Sequence, residues 1–138
     1  EFEPKLLAHL EKHNTHEYLL ALCEKQDFRT ALDTIKQRAR YDRSVFARKD
    51  YSDIARILEP HFPKEIIRYY LSFMEWLIDQ GAGKDRVNYR SAVRYFEKVQ
   101  RVFLVILHDR QGWENKLVEI RTTYGNKRAL LEELSDLT

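Results

Sequence analysis

The chain has 138 residues, 43% hydrophobic and 33% charged, with 24 Lys and Arg against 22 Asp and Glu. That apolar share is enough for a core and excludes disorder, while 4 Gly and 3 Pro are too few for the turns of an all-β protein. One Cys excludes a disulfide framework or a Cys-rich zinc site within the chain. No apolar run reaches the roughly 18 residues of a transmembrane helix, and neither a membrane span nor a signal peptide is expected within these residues. The expectation is a single all-α domain, cytoplasmic, spanning residues 1–138. The only Met is Met74 and the first residue is Glu1, which reads as a fragment of a longer protein.

Helical periodicity covers most of the chain. The first predicted helix runs from Pro4 to His13, with Leu6, Leu7 and Leu10 on one stripe. Thr15 is expected to cap the second, which carries Tyr18, Leu19, Leu22 and Cys23. Asp27 caps a third, with Phe28, Ala31, Leu32, Ile35 and Ala39 facing inward, and Asp50 or Ser52 opens a fourth. Pro60 and Pro63 separate the fourth from the fifth, because proline lacks a donor yet fits a first helical turn.

The fifth helix, about Lys64 to Gln80, is apolar around more than half its circumference and must be central or meet a partner. Gly81-Ala82-Gly83 stops it. A long sixth helix is predicted from Asp85 to His108, its end the apolar run Val102 to Leu107, which inside a helix implies burial on all sides, within this chain or else against another subunit or a missing N-terminal part. Trp113, Leu117, Ile120 and Tyr124 mark a seventh, ended by Gly125. Asn126 caps an eighth that holds Leu130, Leu131, Leu134 and Leu137, and all four glycines read as helix stops. The fold class is therefore all-α: about eight antiparallel helices in a tetratricopeptide-like superhelix of helical hairpins. Phe28-Ala31-Leu32-Ile35, Tyr51-Ile54-Ala55-Leu58 and Tyr89-Ala92-Val93-Phe96 share one loose pattern, with a small residue where a neighbouring helix would approach.

The stretch Asn88 to Val99 has a Tyr leading a helix of the form Tyr-x-x-Ala, followed by Trp113-Glu114, by Ile120 to Tyr124, and by the leucine helix Lys127 to Leu134. This succession resembles the C-terminal helical region of bacterial SWIM zinc finger proteins, over roughly Asn88 to Leu137. The resemblance implies a zinc finger of the order Cys-x-Cys … Cys-x-His in a parent chain upstream of Glu1. No cofactor or metal is implied for this chain itself, because Cys23 stands alone.

Two basic segments stand out. Residues 84–101 hold six basic and two acidic groups, and residues 36–49 hold six and one. In the first, Arg86, Arg90, Arg94, Lys98 and Arg101 fall on one helical stripe opposite Tyr89, Val93, Phe96, Val99 and Phe103. Such a stripe is a solvated helix face, a docking surface for an acidic partner, or a grip on phosphates. Glu97 beside it weakens the phosphate reading. In the second, Arg38, Arg40, Arg43, Arg48 and Lys49 lie near Tyr41 and Phe46, where arginines stack on bases or, more commonly, brace a loop.

A helical array offers a groove, and Tyr69, Tyr70 and Trp76 are its candidate anchors, with Arg90 and Arg94 as polar contacts. His9, His13 and His16 are spaced as ligands on a helix face, but Asn14-Thr15 breaks the helix and no further ligand completes the set. No catalytic template occurs, and no small-molecule substrate is expected. The sequence predicts a non-catalytic scaffold for a protein or peptide partner, with nucleic-acid binding through the basic segments as the alternative.

Overall fold

The structure is a computed structural model that describes residues 4–41, 51–81 and 86–137. Among these residues the chain forms eight α-helices and one short π-helical segment, with no strand. The all-α expectation holds. The chain separates into two compact units, residues 1–62 and 63–138. No Gly- or Ser-rich linker marks the boundary, which falls between Phe62 and Pro63.

The first unit holds α1 (Pro4–His13), α2 (Thr15–Glu24), α3 (Phe28–Tyr41) and α4 (Ser52–Leu58). Pro4 opens α1, where its fixed φ suits the first turn. Asn14, not Thr15, caps α2. Its Oδ1 accepts from the Glu17 N–H at 3.2 Å, and its own N–H donates to the Leu10 carbonyl at 2.8 Å. One residue thus closes α1 and opens α2. Both candidates are good caps, and the backbone bond to Leu10 selects the earlier one.

The end of α2 is a Schellman turn. The Asp27 N–H donates to the Leu22 carbonyl at 2.8 Å and the Gln26 N–H to the Cys23 carbonyl at 3.0 Å, with Gln26 at φ 63° where glycine is usual. Asp27 then caps α3, as its sequence position predicts, through Oδ1 and the Thr30 N–H at 3.4 Å. Tyr51, at φ 43°, precedes α4, and no side chain caps that helix. Ala21, Ala31 and Ala55 are buried to 1% exposure or less, which lets the helix axes approach closely around Leu19, Leu32 and Ile54. At the unit's end His61 stacks on Phe28 at 4.0 Å, and the Arg29 guanidinium lies 5.7 Å from the Phe62 ring centre.

The second unit holds α5 (Pro63–Gly81), α6 (Arg86–Arg101), the π segment (Val102–Ile106), α7 (Arg110–Thr123) and α8 (Arg128–Leu134). The longest predicted helix therefore divides. After Arg101 the backbone widens to i→i+5 bonds, as in the Leu107 N–H to the Val102 carbonyl at 2.9 Å. His108 then turns the chain at φ 51°. Asp109 caps α7, its Oδ1 accepting from the Gly112 N–H at 2.9 Å. Gly112 is thus in the first turn of α7 rather than a helix stop. An added Cβ there would overlap Asp109 Oδ2 and lie 3.0 Å from the Phe103 ring. The predicted cap of α8, Asn126, gives way to Lys127, whose side chain makes no capping bond.

The core of this unit centres on Phe73, Tyr89, Phe96 and Trp113, with the Phe96 and Trp113 rings 4.8 Å apart. The α5–α6 pair is the most extensive helix contact, so the apolar girth of α5 is covered chiefly by α6. The last helix, α8, packs on α6.

Candidate functional site

The outward face of α6 is built by periodicity. Tyr89, Ala92, Val93, Phe96 and Val99 are buried, so the residues opposite them are pushed toward water. Arg90 and Arg94 are exposed there, while Lys98 and Arg101 are half-buried. Arg86 belongs to α6, but its side chain lies outside the described residues, as does that of Arg40 on α3. Arg43, Arg48 and Lys49 lie outside the described residues altogether. In the 36–49 segment, Arg38 donates from Nη2 to the Glu11 carbonyl at 3.4 Å. That contact braces α3 against α1.

Arg90 and Lys98 of the α6 stripe meet groups of the same chain. Arg90 Nε lies 3.5 Å from Glu133 Oε1 and ties α6 to α8. The Lys98 ammonium lies 4.8 Å from the Tyr95 ring centre and 5.5 Å from that of Tyr70, a cation–π placement on two rings. The Tyr95 ring is itself stacked on Phe73 at 5.4 Å. Arg94 stands between these two positions on the outer face.

The aromatic anchors need correction. Tyr69 and Tyr70 are buried, Tyr70 to 1% exposure, and their rings pack with Phe73 and Tyr95. They are core residues of α5, because the helix buries a wide arc and both positions fall inside it. Trp76 is half-buried. The apolar run after α6 also departs from expectation. Only Val102 is buried. Leu104, Ile106 and Leu107 are half-buried, and Val105 is 60% exposed. A helix on the edge of a unit has one side to cover, and six consecutive apolar residues necessarily exceed it. Val118, on the outer side of α7, is 63% exposed. Sequence reading missed both valines as surface residues. The signal was present in the spacing: Val105 lies four residues beyond Arg101 and eleven beyond Arg94, on the polar side of the wheel.

The ionisable groups that move all move toward neutrality. Burial pushes the Cys23 thiol up, and Asp53 adds to that rise. Burial likewise raises the Tyr124 phenol, with Glu75 and Asp79 contributing. Tyr18 rises through burial and then the charges of Glu11 and Asp27, offset in part by a hydrogen bond from Thr34. His16 Nε2 meets Asp53 Oδ2 at 2.6 Å and joins α2 to α4. Among the described residues no cluster of three His, Cys, Asp or Glu is arranged to hold a metal ion. No helix among them is long and apolar enough to cross a membrane.

Comparison with protein-family models, with curated proteins and with solved structures gives no match. Nothing in these comparisons links the chain to the SWIM zinc finger proteins.

Proposed function

We propose that the chain is a non-catalytic helical scaffold that binds a protein partner. The observation that carries this reading is the partly exposed apolar run Leu104 to Leu107 at the end of the basic face of α6. Single surface valines are ordinary, but a contiguous apolar stretch on a polar face favours contact with another macromolecule. Attachment to a zinc finger elsewhere in a parent chain belongs to the same proposal and rests on the sequence resemblance alone.

The alternative, nucleic-acid binding through residues 36–49 and 84–101, is the weaker one. Arg90 already faces Glu133, and exposed Glu97 sits beside the stripe. Each feature lowers the positive potential a phosphate backbone would meet.

A photo-crosslinking amino acid at Val105, with a control at Arg29 in the first unit, tests the scaffold role in cells that express the chain. The expected result is a discrete crosslinked protein from Val105, absent from the control, that binds the purified chain when itself purified. Crosslinks to nucleic acid, or none that survive purification, would overturn it.

A further inference from the structure

We infer that the outer face of α6, from Arg94 through Arg101 to Val105, recognises an acidic amphipathic helix. The inference rests on the scaffold reading and names the chemistry of its partner.

The geometry is a stripe. At about 3.6 residues per turn, positions i, i+4 and i+7 share one face, which places Arg94, Lys98 and Arg101 in a row. Val105 follows Arg101 by four residues, just under one turn of the wider π helix, so it continues the row. The row is basic at one end and apolar at the other. Arg94 is exposed, and Val105 is 60% exposed with half-buried Leu104 and Leu107 beside it. The opposite side of the same helix is closed by Phe96 and Val99, so the stripe cannot turn inward without emptying the core.

Charge complementarity selects the occupant. A helix presenting a carboxylate toward exposed Arg94 and an apolar side chain toward Val105 satisfies both ends. A phosphate backbone satisfies only the basic end and leaves the valine against charge. The stripe also carries its own internal example of the contact. Glu133 of α8 reaches Arg90 at 3.5 Å while Leu130 and Leu134 of the same helix are buried. An acidic, leucine-bearing helix is therefore already accommodated one turn before Arg94.

The test is a titration of the 138-residue chain with a fluorescent helical peptide of about twenty residues, leucines spaced i, i+3, i+4 and glutamates elsewhere. Three further ligands accompany it: the same peptide with glutamine for every glutamate, a duplex DNA and a single-stranded DNA. Three variants are measured in parallel: Arg94→Glu, Val105→Asn, and Arg56→Glu as an equal charge change in the first unit. Far-UV circular dichroism establishes that each folds, and Arg94 and Val105, being exposed, are safe to alter.

The expected result is saturable binding of the glutamate peptide, weakened about tenfold or more by Arg94→Glu and by Val105→Asn and unchanged by Arg56→Glu. The glutamine peptide binds more weakly, and neither DNA competes. Absence of binding overturns the inference. Binding that ignores both α6 variants also overturns it, while the scaffold reading survives because a peptide is still held elsewhere. DNA that binds more tightly than the peptide, with no dependence on Val105, overturns both.

Discussion

Gly112 offers the sharpest test of local packing in the second unit. A methyl group added there would overlap Asp109 Oδ2, sit 2.8 Å from Asp109 Cγ, and sit 3.0 Å from the Phe103 ring. Helix propensity alone predicts that Gly112→Ala stabilises α7 by about 1 kcal/mol. The structure predicts the reverse. The methyl must expel the Asp109 carboxylate, which ends its 2.9 Å bond to the Gly112 N–H. Losing a cap costs about 1 kcal/mol, and crowding against Phe103 adds about 1–3 kcal/mol. The net expectation is a loss of about 1–3 kcal/mol after the propensity gain is subtracted. Asp109→Ala loses the cap alone, about 1 kcal/mol. The double variant removes the carboxylate that clashes, so it should be more stable than the two single losses add up to. Urea unfolding followed by circular dichroism at the helical band measures all three. A Gly112→Ala protein as stable as the parent, or strictly additive losses, would refute the geometry. Gly125→Ala is the control, since its Cβ would lie 3.4 Å from the Arg121 carbonyl, an ordinary contact, and the change should be neutral or slightly stabilising.

Gln26→Gly should raise the stability of the first unit by about 1 kcal/mol, because Gln26 holds a left-handed φ of 63° in the turn after α2; an unchanged or lowered urea midpoint would show that the turn is not strained. Phe96→Ala should cost about 3–5 kcal/mol by opening the core beside Trp113, whereas Val118→Ala should stay within about 0.5 kcal/mol, and similar losses for the two would contradict the burial pattern. Alkaline titration supplies a prediction with a definite sign. Tyr18, Tyr124 and Cys23 have raised values when folded, so the folded chain favours their protonated forms. The stability they contribute is full below their ordinary values of 10.0, 10.0 and 9.0 and is lost as pH rises through the folded ones. Tyr124→Phe should flatten the alkaline fall in stability of the second unit, and Asp53→Asn should speed alkylation of Cys23, as read by unfolding curves against pH and by thiol-modification rates.

Much of the helical layout was legible. Proline at Pro4 and Pro63 and the apolar stripes fixed where α1 and α5 begin, and Asp27 announced the start of α3. Finer choices depended on bonds that sequence does not display. Asn14 and Thr15 are equally good caps until the Asn14 N–H is found on the Leu10 carbonyl. The run Val102 to Leu107 has no period of its own, so its π geometry could not be read, although the spacing of Val105 from Arg94 and Arg101 places it on the polar side. Gly112 resembled a stop because glycine usually is one, yet here it makes room for a carboxylate. At the candidate site the basic stripe was visible from spacing alone. The aromatic anchors were not, because Tyr69 and Tyr70 carry hydroxyls that suggest a surface while their positions on α5 fall within its buried arc.

Hydrogen–deuterium exchange of the whole chain, with and without the glutamate–leucine peptide, tests recognition by the outer face of α6 most directly. Added protection should concentrate between Arg94 and Leu107, leaving α1 to α4 unchanged. Protection confined to the first unit, or none at a saturating peptide concentration, would contradict it.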